Sequence, residues 1–139
     1  MVVSHPGQLH ERLPARAQSV PLARRAVDEF ACGCGASARQ LAAIALAVSE
    51  AVSNAVVHAY VGHDAPGIVA VEAQIDGSAL HVTVRDEGIG MRPRTDSPGA
   101  GLGLGLGLIA SVSDRFELAE MQPGVRVCMT FAIDERPTA

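Results

Sequence analysis

The tightest constraint on this chain is one long run, residues 37–60, that keeps helical spacing and is apolar almost all the way round. Leu41, Ile44, Val48, Ala51, Val52 and Ala55 form one stripe, and Leu46 and Val57 lie on the other side. A helix that is apolar on every side belongs inside a fold, so other layers must cover it. Gly62 ends the run. Aromatic residues make up 3% of the 139 positions while hydrophobic residues make up 48%. The core must therefore be built from Ala, Val, Leu and Ile. A chain of this length buries one core and makes one domain.

The covering layers can be read on either side of that helix. Residues 1–10 read as a loose arm, and 11–15 as a short edge strand stopped by Pro14. Ser19 and Pro21 read as the N-cap and first turn of a helix that runs to about Phe30, with Leu22, Ala26, Val27 and Phe30 on one side. Residues 68–75 and 79–85 alternate with period two around Asp76-Gly77-Ser78, which predicts a β-hairpin. A Gly-rich stretch, 86–107, turns helical from about Leu106 to Val112. Residues 116–121 and 125–133 flank Pro123-Gly124 and predict a second hairpin. The expected fold is α+β: hairpins forming one sheet, with helices covering one face. The predicted domain spans 11–134, and 135–139 reads as a disordered tail.

Several function classes drop out. The chain contains no lysine. A Walker A loop needs Lys on the phosphates, a eukaryotic-type protein kinase needs one on its third strand, and a pyridoxal enzyme needs one for its Schiff base. A formal net charge of −4 without charge runs argues against nucleic acid as the main partner. Cys32, Cys34 and Cys128 give neither a disulfide framework nor a zinc pattern, and read as free thiols. No signal peptide is visible at the start, and Gly, Ser or charges interrupt every apolar stretch short of a membrane span.

Three clusters carry candidate chemistry. Glu50, Asn54 and His58 are spaced by four, one turn apart on the long helix. A Glu beside an Asn on a mostly buried helix can hold a hydrated cation and accept a proton; the plain alternative is that both face solvent. Asp86-x-Gly88-x-Gly90 follows a strand. An Asp there can accept a hydrogen bond from an exocyclic amine while the glycines let the backbone approach a flat ring; the alternative is an ordinary turn. The run Gly99 to Gly107, with Leu at alternate positions from Leu102, leads into a helix. Free amides at a helix N-terminus suit phosphates; the alternative, a flexible linker, is disfavoured by the regular leucines.

In this order and context, Glu50-x-x-x-Asn54, Asp86-x-Gly88-x-Gly90 and Gly101-Leu102-Gly103-Leu104-Gly105 resemble the N, G1 and G2 boxes of the histidine-kinase-like ATPases. The run 49–60 (SEAVSNAVVHAY) and the earlier 13–25 (LPARAQSVPLARR) are most similar to the anti-sigma serine kinases within that superfamily. The resemblance implies a two-layer ATP-binding fold of the Bergerat type, with a mixed, mostly antiparallel sheet. It implies ATP and Mg²⁺ as cofactors, with Asn54 holding the metal, Glu50 as general base on a serine hydroxyl and Asp86 accepting from the adenine amine. Gly88 and Gly90 would pass the base, and Gly101, Leu102, Gly103, Leu104 and Gly105 would cradle phosphate. The implied partners are a sigma factor and an anti-anti-sigma protein, in a cytoplasmic homodimer that binds neither nucleic acid nor membrane. Arg24 and Arg25 are candidates for partner contact, against a merely solvated basic face. His58 reads as helping to close its helix. The chain departs from the family in a short lid, residues 91–98, and in Val125 and Arg126, where relatives often carry Thr or Ser after the glycine. Arg92, Arg94 and Arg126 are candidates to replace that contact. The alternative function is a regulatory module that sequesters a partner without transferring phosphate.

Overall fold

The computed structural model describes residues 2–5, 7–58, 67–86, 102–120 and 124–133. Its elements, in chain order, are β1 (Val2–His5), β2 (Gln8–Pro14), α1 (Ser19–Gly33), α2 (Ala38–His58), β3 (Ile68–Asp76), β4 (Ala79–Asp86), α3 (Leu102–Val112), β5 (Arg115–Glu120) and β6 (Val125–Ala132). The strands form one sheet in the order β1-β2-β3-β4-β6-β5, with every pair antiparallel. The α+β sandwich expected from the sequence is present, with helices on one face of that sheet.

The sheet's two faces follow from alternation. Leu9 and Leu13 of β2, Val69, Val71 and Ala73 of β3, Leu80, Val82 and Val84 of β4, and Val125, Val127, Met129 and Phe131 of β6 are buried toward the helices. Their neighbours His10, Arg12, His81 and Arg126 are exposed on the opposite face. On that face His10 pairs with Glu72 across the strands at 3.4 Å, and His81 Nδ1 lies 3.1 Å from Thr130 Oγ1.

The start of the chain departs from expectation. Residues 2–5 and 8–10, read as a loose arm, belong to β1 and β2. β2 is an interior strand, paired with β3 over its full length from Gln8↔Gln74 to Pro14↔Ile68. Its polar composition hides the alternation, because one of its inward positions is Glu11. Pro14 sits at the strand's last residue, after which Ala15 N–H donates to Gly67 O.

α1 also shifts. Ser19 is not the cap: Gln18 holds that position without a side-chain hydrogen bond, and the Ser19 hydroxyl donates 2.6 Å to the Pro14 carbonyl, tying the first turn to β2. Ala23, Val27 and Ala31 form the buried stripe, while Leu22 is exposed.

α2 opens with a capping box: Gln40 N–H donates to Ser37 Oγ, and Ser37 N–H donates to Gln40 Oε1. Ile44, Ala47, Val48, Ala51, Val52 and Ala55 are almost fully buried against the sheet and the flanking helices. Leu46 and Val57 are exposed, so the helix is buried on one broad face and not all round. By length and composition alone, Ala38–Val57 is apolar enough to cross a bilayer, contrary to the sequence reading. Here its apolar face is the centre of the core.

Candidate functional site

Two anchors fix where the helices that carry the candidate residues meet the sheet. The amide of Gln40, in the first turn of α2, donates 2.7 Å to Ala132 O at the end of β6. Ala132 pairs with Ala79 at the start of β4. From that anchor α2 packs onto β4. Gln40 to Asn54 is about 21 Å of helix at 1.5 Å per residue, and Ala79 to Asp86 is about 23 Å of strand. The two lengths match, so a helix laid along β4 would bring Asn54 level with Asp86. The C-terminal end of α3 is fixed at the opposite end, where Asp114 N–H donates to Thr130 O and Asp114 Oδ2 accepts from Ala132 N–H. An α3 laid along the sheet in the same way would carry its N-terminus, at Leu102, toward the end of β4 that holds Asp86.

Asp86 is the last residue of β4 and is 1% exposed. It continues the inward-facing row of Leu80, Val82 and Val84 past the apolar core. Gly124, at the start of the β6 side of the second hairpin, packs directly against it. Gly124 has φ +102°, and a Cβ there would overlap the Asp86 carbonyl oxygen and stand 3.0 Å from Oδ1. Val125, the next residue, is buried.

Asn54 is 8% exposed, and its Nδ2 has no hydrogen-bond partner among the described residues. A buried amide donor left in that state costs about 1–3 kcal/mol. Glu50, one turn earlier, is half-buried, so its carboxylate keeps access to solvent. His58 is the last residue of α2.

The Gly-rich segment differs from the sequence reading in one respect. Helix α3 begins at Leu102, not near Leu106, so Leu102, Gly103, Leu104 and Gly105 form its first turn. Those first-turn amides have no intrahelical acceptor. Gly103, Gly105 and Gly107 lie inside an 11-residue helix, a composition that costs about 3 kcal/mol relative to alanine. A glycine backbone leaves room for close approach by another group. Gly88, Gly90, Gly101 and the lid residues 91–98, with Arg92 and Arg94, lie outside the described residues. Arg126 does not reach this site: it is exposed on the sheet face opposite Asp86, across from Arg85. Arg24 and Arg25 are exposed on α1.

These residues fit a purine nucleotide and its metal ion. Asp86 offers a buried acceptor for an exocyclic amine, the Asn54 amide offers a hard oxygen of the kind Mg²⁺ takes, and the α3 terminus offers free amides for phosphate. No group of three or more His, Cys, Asp or Glu side chains that could hold a metal by themselves occurs among the described residues. Sequence reading missed Gly124, whose contact with Asp86 is tertiary; Pro123-Gly124 signalled only a turn. It also missed the Ser37/Gln40 box, which the S-x-x-Q spacing could have revealed.

Comparison with known proteins places the fold. Residues 13–131 match the family model described as histidine kinase-like ATPase domain. Anti-sigma F factor of Geobacillus stearothermophilus is 37% identical over 84 residues, covering 60% of this chain and 57% of the relative. Its counterpart from Halalkalibacterium halodurans is 36% identical over 77 residues, covering 55% and 52%. The matched part thus spans little more than half of these curated relatives. A crystal structure of the RsbU and RsbW domains of a Mycobacterium tuberculosis protein superposes with TM-score 0.74 at 23% identity, covering 93% of this chain and 33% of that one. The histidine kinase domain of a blue-light activated kinase from Erythrobacter litoralis gives TM-score 0.57 at 25% identity, covering 68% and 45%. With the family model spanning all three helices and all but the last residue of strands β3 to β6, this chain belongs to the histidine kinase-like ATPase domain family.

Proposed function

We propose that this chain is an ATP-dependent protein-serine kinase of the anti-sigma type, which binds a sigma factor and phosphorylates a STAS-type anti-anti-sigma partner. What supports the reading is Asp86 buried at the end of β4, Asn54 buried on α2 with Glu50 one turn earlier, and the glycine-rich start of α3. Asp86 would accept from the adenine amine, and the α3 terminus would hold phosphate together with Gly101 and the first turn. Gly88 and Gly90 would pass the base. Bound Mg²⁺, held by Asn54, would neutralise phosphate charge. Glu50 would take the proton from the serine hydroxyl as its oxygen attacks the γ-phosphorus; the bond to the bridging oxygen breaks and ADP leaves. Catalysis of this kind is mainly positioning and electrostatics. The protein would act in the cytoplasm as a homodimer, without touching nucleic acid or membrane itself, and Arg24 and Arg25 would face a protein partner.

A second reading, a partner-sequestering module without phosphoryl transfer, is favoured by Val125, buried where relatives often have a hydroxyl beside the glycine. Calorimetry with ATP and ADP, with and without Mg²⁺, followed by phosphorylation assays on STAS-domain proteins, separates the two. The kinase reading expects Mg²⁺-dependent binding with Kd on the order of micromolar. It also expects Glu50→Ala to slow phosphoryl transfer by about 10²–10⁴-fold while ATP affinity and partner binding persist. Nucleotide and partner binding with no phosphoserine in the parent protein would favour the module. A folded protein that binds no nucleotide would overturn the ATP-dependent reading.

A further inference from the structure

We infer that Gly124 is a positioning residue for nucleotide recognition: its bare α-carbon seats Asp86, and through Asp86 it sets the preference for a base bearing an exocyclic amine. The inference rests on the proposed nucleotide site and extends it to the hairpin between β5 and β6.

Asp86 stands at the end of β4, where strand pairing with β6 runs out: the last registered pair is Arg85↔Arg126. A carboxylate at a strand end has one side fewer to hold it than one inside the sheet. Gly124 supplies that side. It is buried, and its left-handed φ of +102° turns the incoming chain so that its α-carbon lies flat on the Asp86 backbone. An added Cβ would collide with the Asp86 carbonyl oxygen and crowd the carbonyl carbon and Oδ1, both at 3.0 Å. The crowded atoms are mainly backbone, which cannot swing aside like a flexible side-chain tip. Val125 is buried and offers no hydroxyl or amide side chain to a base. Recognition of an amine therefore falls on Asp86 in this part of the site, and the carboxylate's position depends on the glycine behind it.

A side chain at 124 should displace Asp86 and remove discrimination between bases, not merely weaken the fold. The test compares ATP with purine riboside triphosphate, which lacks the 6-amino group, by calorimetry on the parent, Gly124→Ala, Asp86→Asn and the double variant. The parent should prefer ATP by roughly tenfold or more, the value of a hydrogen bond to a charged acceptor. Gly124→Ala should bring that ratio close to one, and adding it to Asp86→Asn should change the ratio no further. A general loss of stability would lower both affinities together and leave the ratio intact, which overturns the inference while the nucleotide site stands. A parent that binds neither triphosphate overturns both the site and the inference.

Should Gly124→Ala not fold, the parent's own amide spectrum decides. The Gly124 N–H resonance should shift differently with ATP and with purine riboside triphosphate, because only ATP draws on the Asp86 carboxylate. Identical shifts would sink the inference.

Discussion

Two carboxylates are buried on the same face of the same sheet, and they differ in almost everything else. Asp86 closes β4 beside a helix that carries Asn54 and Glu50, with Gly124 shaped to its backbone. Glu11 sits mid-strand in β2, between the inward-facing Leu9 and Leu13 and across from Val71. It is 3% exposed, and its Oε2 has no hydrogen-bond partner among the described residues. Strand spacings put the two α-carbons roughly 12 Å apart, two strands over and one row along. Burial alone therefore does not mark a functional acid. The difference lies in the company: Asp86 stands at a sheet end with Gly124 fitted to its backbone, whereas Glu11 stands between Leu9 and Leu13 in the inward row of β2. A buried carboxylate with fitted neighbours is a candidate for ligand recognition, and one without them is a cost to stability.

The comparison breaks most readily at Asp86. Asp86→Asn should weaken ATP binding by about 10–100-fold, the loss of a hydrogen bond to a charged acceptor plus the mismatch of an amide facing an amine. Glu11→Gln should leave ATP affinity unchanged, since Glu11 sits mid-strand, two strands over from Asp86 and one row back. Calorimetry on both variants gives the answer. Equal losses would mean that the two acids share one electrostatic environment and that the division drawn between them is wrong.

The same contrast explains what the sequence made legible. The hairpin of β3 and β4 could be read because Val69, Val71 and Ala73, then Leu80, Val82 and Val84, alternate cleanly around Asp76-Gly77. Helix α2 could be read because its apolar stripe is long. The order of Glu50, Asn54, Asp86 and the glycines was legible because the motifs are local strings. β2 was only half legible: Leu9-x-Glu11-x-Leu13 looks broken unless a carboxylate is allowed at an inward position. The start of α3 was hidden because, apart from proline, glycine has the weakest helix propensity, so local preference argued against the helix that tertiary packing makes. Gly124 was legible as a turn and not as the seat of Asp86, because that contact joins residues far apart in the chain. Leu46 and Val57 looked like core residues because the periodicity of a helix does not say how far its neighbours wrap round it.

The second way to sharpen the comparison is at Glu11. Replacing a buried, incompletely bonded carboxylate by a hydrocarbon of similar volume should raise stability, by about 1–2 kcal/mol for Glu11→Leu. Urea denaturation at neutral pH measures it, and a shift of the midpoint without a change of slope would identify a stability effect alone. A destabilised Glu11→Leu would show that the carboxylate has a structural partner worth more than its desolvation.

The smallest effect carries the most specific signature. Loss of hydration holds the Glu11 carboxyl above its ordinary value of 4.5. Below that value the carboxyl is protonated in both folded and unfolded chains, and burial carries no charge penalty. As pH rises from about 4.5 toward the raised folded value, the unfolded chain gives up the proton first and the folded chain retains it. The folded state then binds more protons, so this group's contribution to stability falls with rising pH and is lost once pH passes the folded value. The advantage of Glu11→Leu over the parent should therefore be smallest near pH 4.5, grow through the mildly acidic range and level off above it. Pairing the two proteins cancels the titration of every other group, so the difference in urea midpoints isolates Glu11. An advantage that stays flat across that range would mean that Glu11 ionises as easily in the fold as in water. The contrast with Asp86 would then rest on geometry alone.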